Sequence, residues 1–158
     1  MAQDPAHGDT TVAVATRPLD LVITELVAAW NAHDLDRVLA CYDPAFTGTD
    51  VGEAATQQGI TGIRKMIRRW FRAFPDLKLT PETVIIEGNR VALGWLLRAT
   101  HQGTFMRIPP TQRQVTVRGV TLMTISDGRI IQGSRLWDMA AFLRNVGLLP
   151  ELRDGGEE

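Results

Sequence analysis

The chain has 158 residues, 44% of them apolar, which is enough for one domain with a real core and excludes global disorder. Its formal net charge of -1 lacks the basic excess of a nucleic-acid binder. A single cysteine, Cys41, rules out an intrachain disulfide, and no Cys/His spacing reads as a metal site. The first residues are polar and carry acids rather than the basic and apolar regions of a signal peptide, and no apolar run approaches a membrane span. The expectation is a cytoplasmic protein with no nucleic-acid or membrane partner.

Residues 1–17 show no sustained period and read as a flexible N-terminal tail. Residues 152–158 read as a flexible C-terminal tail, which leaves 18–151 as a single domain. From Leu19 the apolar positions Leu19, Val22, Ile23, Leu26, Val27 and Trp30 recur at three and four, which predicts a helix over 19–32. Asp34 is a good N-cap for a second, short helix over 34–42, which Asp43-Pro44 ends. A short extended piece begins at Phe46, and Gly48 to Gly59 reads as a loop. Thr61 is the expected cap of a third helix over 61–73. That helix has Ile63, Met66, Ile67, Trp70 and Phe71 on one side and a basic stripe on the other.

Pro75 stops that helix, and the period then changes to that of strands. Strands are expected over 77–87, 90–101, 114–126 and 129–138, with Asp127-Gly128 as the strongest hairpin signal. A short helix over 140–146 closes the chain, and Gly147 suits its C-terminal cap. Helices followed by a strand meander predict an α+β fold, with helices packed on one face of a curved, mostly antiparallel sheet.

Several motifs carry a resemblance. They are Phe74-Pro75-Asp76-Leu77-Lys78-Leu79, Glu87-Gly88-Asn89-Arg90-Val91, Thr100-His101-Gln102-Gly103-Thr104-Phe105 and Ile108-Pro109-Pro110-Thr111. Asp127-Gly128-Arg129-Ile130 leading to Leu136-Trp137-Asp138, and the closing Phe142 to Gly147, complete the set. In order and spacing this set resembles the SnoaL-like polyketide cyclases over Leu19 to Pro150. The resemblance implies a cone-shaped α+β barrel of the nuclear transport factor 2-like or ketosteroid isomerase-like kind. It also implies cofactor-free closure of a polyketide ring by intramolecular aldol condensation. The chain departs from the family pattern at Thr49, where a histidine is common, and at Gln132-Gly133-Ser134-Arg135 in the last strand.

Asp138 is the sharpest catalytic candidate. A carboxylate set among Trp, Leu and Met side chains is desolvated toward the range of a general acid–base, and the resemblance implies that role at the Trp-Asp position. The same residue could N-cap the closing helix, and the two roles are compatible. His101 is the second candidate, to hydrogen-bond a substrate carbonyl or orient the carboxylate, or else a histidine at a strand end. Trp30, Trp70, Trp95 and Trp137, with Met66, are expected to line an apolar pocket for a polycyclic substrate, although core packing explains each tryptophan as well. Arg98, Arg118 and Arg135 alternate with apolar neighbours in strands. One facing inward needs a carboxylate, and Asp50 and Asp138 are the available partners.

The leading expectation is therefore a cofactor-independent, metal-free enzyme of polyketide or aromatic metabolism that acts by aldol cyclisation. A water-activating enzyme on the same fold is the alternative, whether epoxide hydrolase, hydratase or cofactor-free hydroxylase, and a non-catalytic ligand-binding or dimerisation module is a third. The first needs one inward carboxylate with a histidine or water. The second needs two carboxylates, or a carboxylate with arginine. β-Branched residues on both parities of the last two strands predict a homodimer through the open face of the sheet.

Overall fold

The structure is a computed structural model that describes residues 18–153. The expected tail at 1–17 and residues 154–158 lie outside the described residues. Helix α1 (Leu19–Asn31) follows Pro18 and buries Val22, Ile23, Leu26, Ala29 and Trp30, the predicted face. Helix α2 (Leu35–Ala40) is capped by Asp34, whose side chain accepts from the Arg37 amide.

The expected end of α2 near 42 comes early, because Tyr42 already belongs to strand β1 (Tyr42–Asp50). Pro44 is tolerated in β1 because the register breaks between Tyr42 and Thr47. A two-residue strand β2 (Gln57–Gln58) lies antiparallel to β1 inside the stretch read as a loop. Helix α3 (Gly59–Ala73) starts two residues before the expected Thr61, with no side-chain cap at Gln58, and buries Ile63, Met66, Ile67 and Trp70.

The meander follows the predicted bounds closely as β3 (Lys78–Glu87), β4 (Arg90–Thr100), β5 (Gln114–Ser126) and β6 (Arg129–Trp137). Asp127 and Gly128 both take positive φ, 50° and 72°, and form the hairpin turn between β5 and β6. Helix α4 (Met139–Asn145) closes the chain, with Gly147 at φ 85° just beyond it.

The sheet order is β2-β1-β6-β5-β4-β3, antiparallel except for the parallel pair β1–β6. β1 thus returns beside the last strand, which brings Asp50 opposite Arg135. The inner face of the curled sheet carries Val91, Leu93, Trp95 and Leu97 of β4 and Val115, Val117, Met123 and Ile125 of β5, all buried. The helices cover this face, and the core is one cluster from Val22 to Val146. The outer parity keeps exposed apolar residues: Ile85, Val120, Leu122 and Leu136 are 39–61% exposed. Among the described residues no helix is long and apolar enough to cross a membrane.

Candidate functional site

Strand parity decides which polar groups enter the interior. On β6, Ile130 and Trp137 are buried, and Arg135 shares the inner parity with Trp137. Arg135 is therefore the inward arginine, with its side chain 12% exposed. Its Nη1 lies 3.6 Å from Asp50 Oδ2 and donates to Met66 Sδ at 2.9 Å. Its guanidinium carbon sits 5.2 Å from the centre of the Trp30 ring, a cation–π arrangement. Arg98 and Arg118 face outward, and Arg118 pairs with Glu82 on the outer surface.

Asp50, at the end of β1, is 5% exposed. Its Oδ1 accepts from Trp137 Nε1 at 3.0 Å and from the Gly52 amide at 2.8 Å. Among the described residues its Oδ2 has no hydrogen-bond partner, and it lies beside the Arg135 charge. One carboxylate oxygen is thus fixed by two donors, while the other, itself buried beside Arg135, carries no hydrogen bond. Trp137, one of the four tryptophans expected at the pocket, supplies the donor to Asp50, a partner that the sequence did not indicate. Its indole offers an N–H together with a large apolar face.

Two chambers meet at this pair. A narrow inner void of about 30 Å³ is lined by Trp30, Tyr42, Trp70, Trp95 and Arg135, among others. Burial pushes the Tyr42 phenol up to about 12, against the pull of the nearby Arg135 charge. A roomier cleft of about 570 Å³ is lined by Asp50, Glu53, Arg69, Trp70, Thr104, Phe105, Met106, Arg107 and Trp137. Trp70 lines both, so one indole separates them. Met66 lies beneath Arg135 rather than in the cleft. Glu53 and Arg69 form an ion pair at the cleft wall. Among the described residues no group of three His, Cys, Asp or Glu is placed to hold a metal ion.

Asp138 corrects the expectation. It is exposed, and its carboxylate accepts from the Ala141 amide at 2.8 Å as the N-cap of α4. Its parity on the strand is opposite to that of buried Trp137, so it points away from the apolar interior and borders a groove with Glu82, Arg118 and Leu136. The capping alternative describes its geometry.

His101 also lies away from the Asp50 cleft. It is fully buried, with Nδ1 3.0 Å from Thr111 Oγ1 and its ring against Phe74 and Phe142. Among the described residues its Nε2 has no hydrogen-bond partner. Burial holds its pKa below the ordinary imidazole value. A free histidine takes its proton near pH 6.5, so the unfolded chain binds that proton first as the pH falls. Stability is then fully present above about pH 6.5 and declines below it. Urea midpoints measured from pH 8 to pH 5 should fall in the acid half of that range, and His101→Gln should flatten the fall. An equally steep decline in the variant would assign the acid sensitivity to other groups.

A bent sheet wrapped round helices, with a buried carboxylate and an aromatic-walled interior, defines a cone-shaped pocket protein of the nuclear transport factor 2-like kind. The family model described as SnoaL-like polyketide cyclase matches residues 20–146. The chain belongs to the SnoaL-like polyketide cyclase family. Among solved structures it is similar to AclR, a candidate hydroxylase from Streptomyces galilaeus. The two are 30% identical over 85% of this chain and 83% of that one, with a TM-score of 0.75. It is also similar to TsrD from Streptomyces laurentii, at 26% identity over 83% and 96% of the two chains and a TM-score of 0.75. IdmH of Streptomyces antibioticus, a candidate polyketide cyclase, shares the fold at 24% identity over 81% and 97%, with a TM-score of 0.71. No curated protein shows significant similarity to the chain.

Proposed function

We propose that the chain is a cofactor-independent enzyme acting on polycyclic aromatic, polyketide-type substrates, with Asp50 rather than Asp138 as the acid–base. The observation that carries this is the buried Asp50 carboxylate, with one oxygen held by Trp137 and Gly52 and the other without a hydrogen bond at the wall of an aromatic cleft. In an aldol cyclisation Asp50 Oδ2 removes a proton from a carbon between two carbonyls. The enolate attacks a carbonyl of the same molecule, and the carboxylic acid returns the proton to the new alkoxide. The Arg135 guanidinium, 3.6 Å from Asp50 Oδ2, places a cation beside the developing anion.

A second reading has its own support. The carboxylate stands beside an arginine and not beside His101, which is the arrangement expected of a water-activating enzyme. The described likeness to AclR, a candidate hydroxylase, points away from simple ring closure as well. Turnover of a polycyclic 1,3-dicarbonyl in ¹⁸O-labelled water separates the two. Aldol closure gives a product of unchanged mass without the label. Labelled oxygen in the product beyond the carbonyl exchange of an enzyme-free control supports water activation and overturns the cyclase reading.

The reading includes a homodimer in the cytoplasm. The outer sheet face offers exposed Ile85, Val120, Leu122 and Leu136 on the strands, and a second copy of the same face would cover them. Mass measurement in solution should give a dimer at micromolar concentration, shifted toward monomer by Leu122→Lys. A monomeric native chain would refute it.

A further inference from the structure

The cleft lining carries Asp50 and Glu53 against Arg69 and Arg107, and Arg135, just behind Asp50, adds one more positive charge. Asp50 is matched by Arg135, and Glu53 by Arg69. Arg107 also lines the cleft, is exposed, and enters none of the ion pairs among the described residues. One positive charge is left over at the mouth.

The backbone that carries it is unusual. Phe105 and Ile108 exchange both backbone hydrogen bonds, at 3.1 and 2.8 Å, around Met106 and Arg107. Met106 and Arg107 stand at φ 51° and 64°, the pattern of a two-residue hairpin that favours Asn and Gly. Neither residue has a local reason to adopt it, and such outliers persist where the surroundings impose them. Here Phe105 imposes it. Its ring is buried against Trp70 at 4.7 Å, Phe74 at 5.1 Å and Phe142 at 5.4 Å, so the turn is pinned from below and its tip is held over the cleft.

Between this tip and Asp50 lie the indoles of Trp70 and Trp137, which suit a flat ring system. We propose that Arg107 is a specificity-determining residue that selects flat aromatic substrates bearing an anionic substituent, such as a ring carboxylate or an ionised phenol, over their neutral derivatives. The proposal rests on the reading of the Asp50 cleft as the substrate site. The flat body occupies the aromatic walls, the anionic group reaches Arg107 at the rim, and the reacting carbon is left toward Asp50. An arginine fork suits a carboxylate geometrically.

The test uses 9,10-anthraquinone-2-carboxylate and its neutral carboxamide as probes, with binding followed by quenching of tryptophan fluorescence at pH 7. The native protein should bind the carboxylate about fivefold more tightly than the carboxamide, the upper range for a solvent-reachable charge pair. Arg107→Gln should bring the two affinities together while leaving the carboxamide affinity unchanged, and Arg107→Lys should restore part of the preference. A preference that survives Arg107→Gln, its absence in the native protein, or failure of both probes to bind each overturns the proposal. Turnover of Asp50→Asn is read separately. If that variant remains active while Arg107→Gln loses the preference, the acid–base assignment fails and the anion selection stands.

Discussion

Replacing Asp50 by Asn should lower turnover by roughly 100-fold or more, the usual loss when a general acid–base is removed, and should also cost stability, because the largely buried Arg135 charge loses its partner. Asparagine is nearly the same shape. Its side-chain oxygen can still accept from Trp137 Nε1 and the Gly52 amide, the two bonds that fix this side chain. What disappears is the oxygen that carries no hydrogen bond and could take a proton. Asp138→Asn is the matched control. Asparagine caps a helix about as well as aspartate, so the Ala141 bond and the fold should both survive. Turnover should stay near normal because the carboxylate is exposed beyond Trp137. The assay is steady-state kinetics on one substrate, with circular dichroism to confirm folding. A near-normal rate in Asp50→Asn would remove the assignment.

Arg135→Leu should cost about 3–5 kcal/mol of stability, because it leaves the Asp50 carboxylate buried without its counter-charge. It also removes the guanidinium from the Trp30 face and from Met66. The double variant Asp50→Asn/Arg135→Leu should recover most of the loss, since neither buried charge then remains. Denaturant unfolding of the two single variants and the double closes the cycle. Additive losses would mean that the 3.6 Å approach carries little coupling and that Arg135 stabilises only by filling space.

The contrast between fold and site in the sequence has a physical origin. Periodicity is local, so α1, α3 and the four meander strands show themselves in the spacing of apolar residues. β1 was only half visible. Its residues Tyr42-Asp43-Pro44-Ala45 lack alternation, and its partner β6 lies more than eighty residues away. The same long-range pairing decides the site. Nothing local tells that Asp50 meets Arg135, although a charged residue alternating with apolar neighbours signalled that Arg135 needed a carboxylate. Asp138 misled for a related reason. Its neighbour Trp137 is indeed buried, but adjacent residues on a strand point to opposite faces. His101 is buried one ring layer behind the cleft, against Phe74 and Phe142, rather than at its wall. The hairpin at Met106-Arg107 was invisible because its sequence contradicts its turn.

The central claim is that chemistry takes place in the Asp50 cleft and not at Asp138. A crystal structure with a flat polycyclic quinone tests it most directly. The ligand should lie against Trp70 and Trp137, under the Phe105–Ile108 hairpin, with a ring carbon or carbonyl roughly 3–3.5 Å from Asp50 Oδ2, the separation of a near-attack geometry. A ligand seated in the outer groove beside Leu136 and Asp138, with the Asp50 cleft empty, would contradict the account.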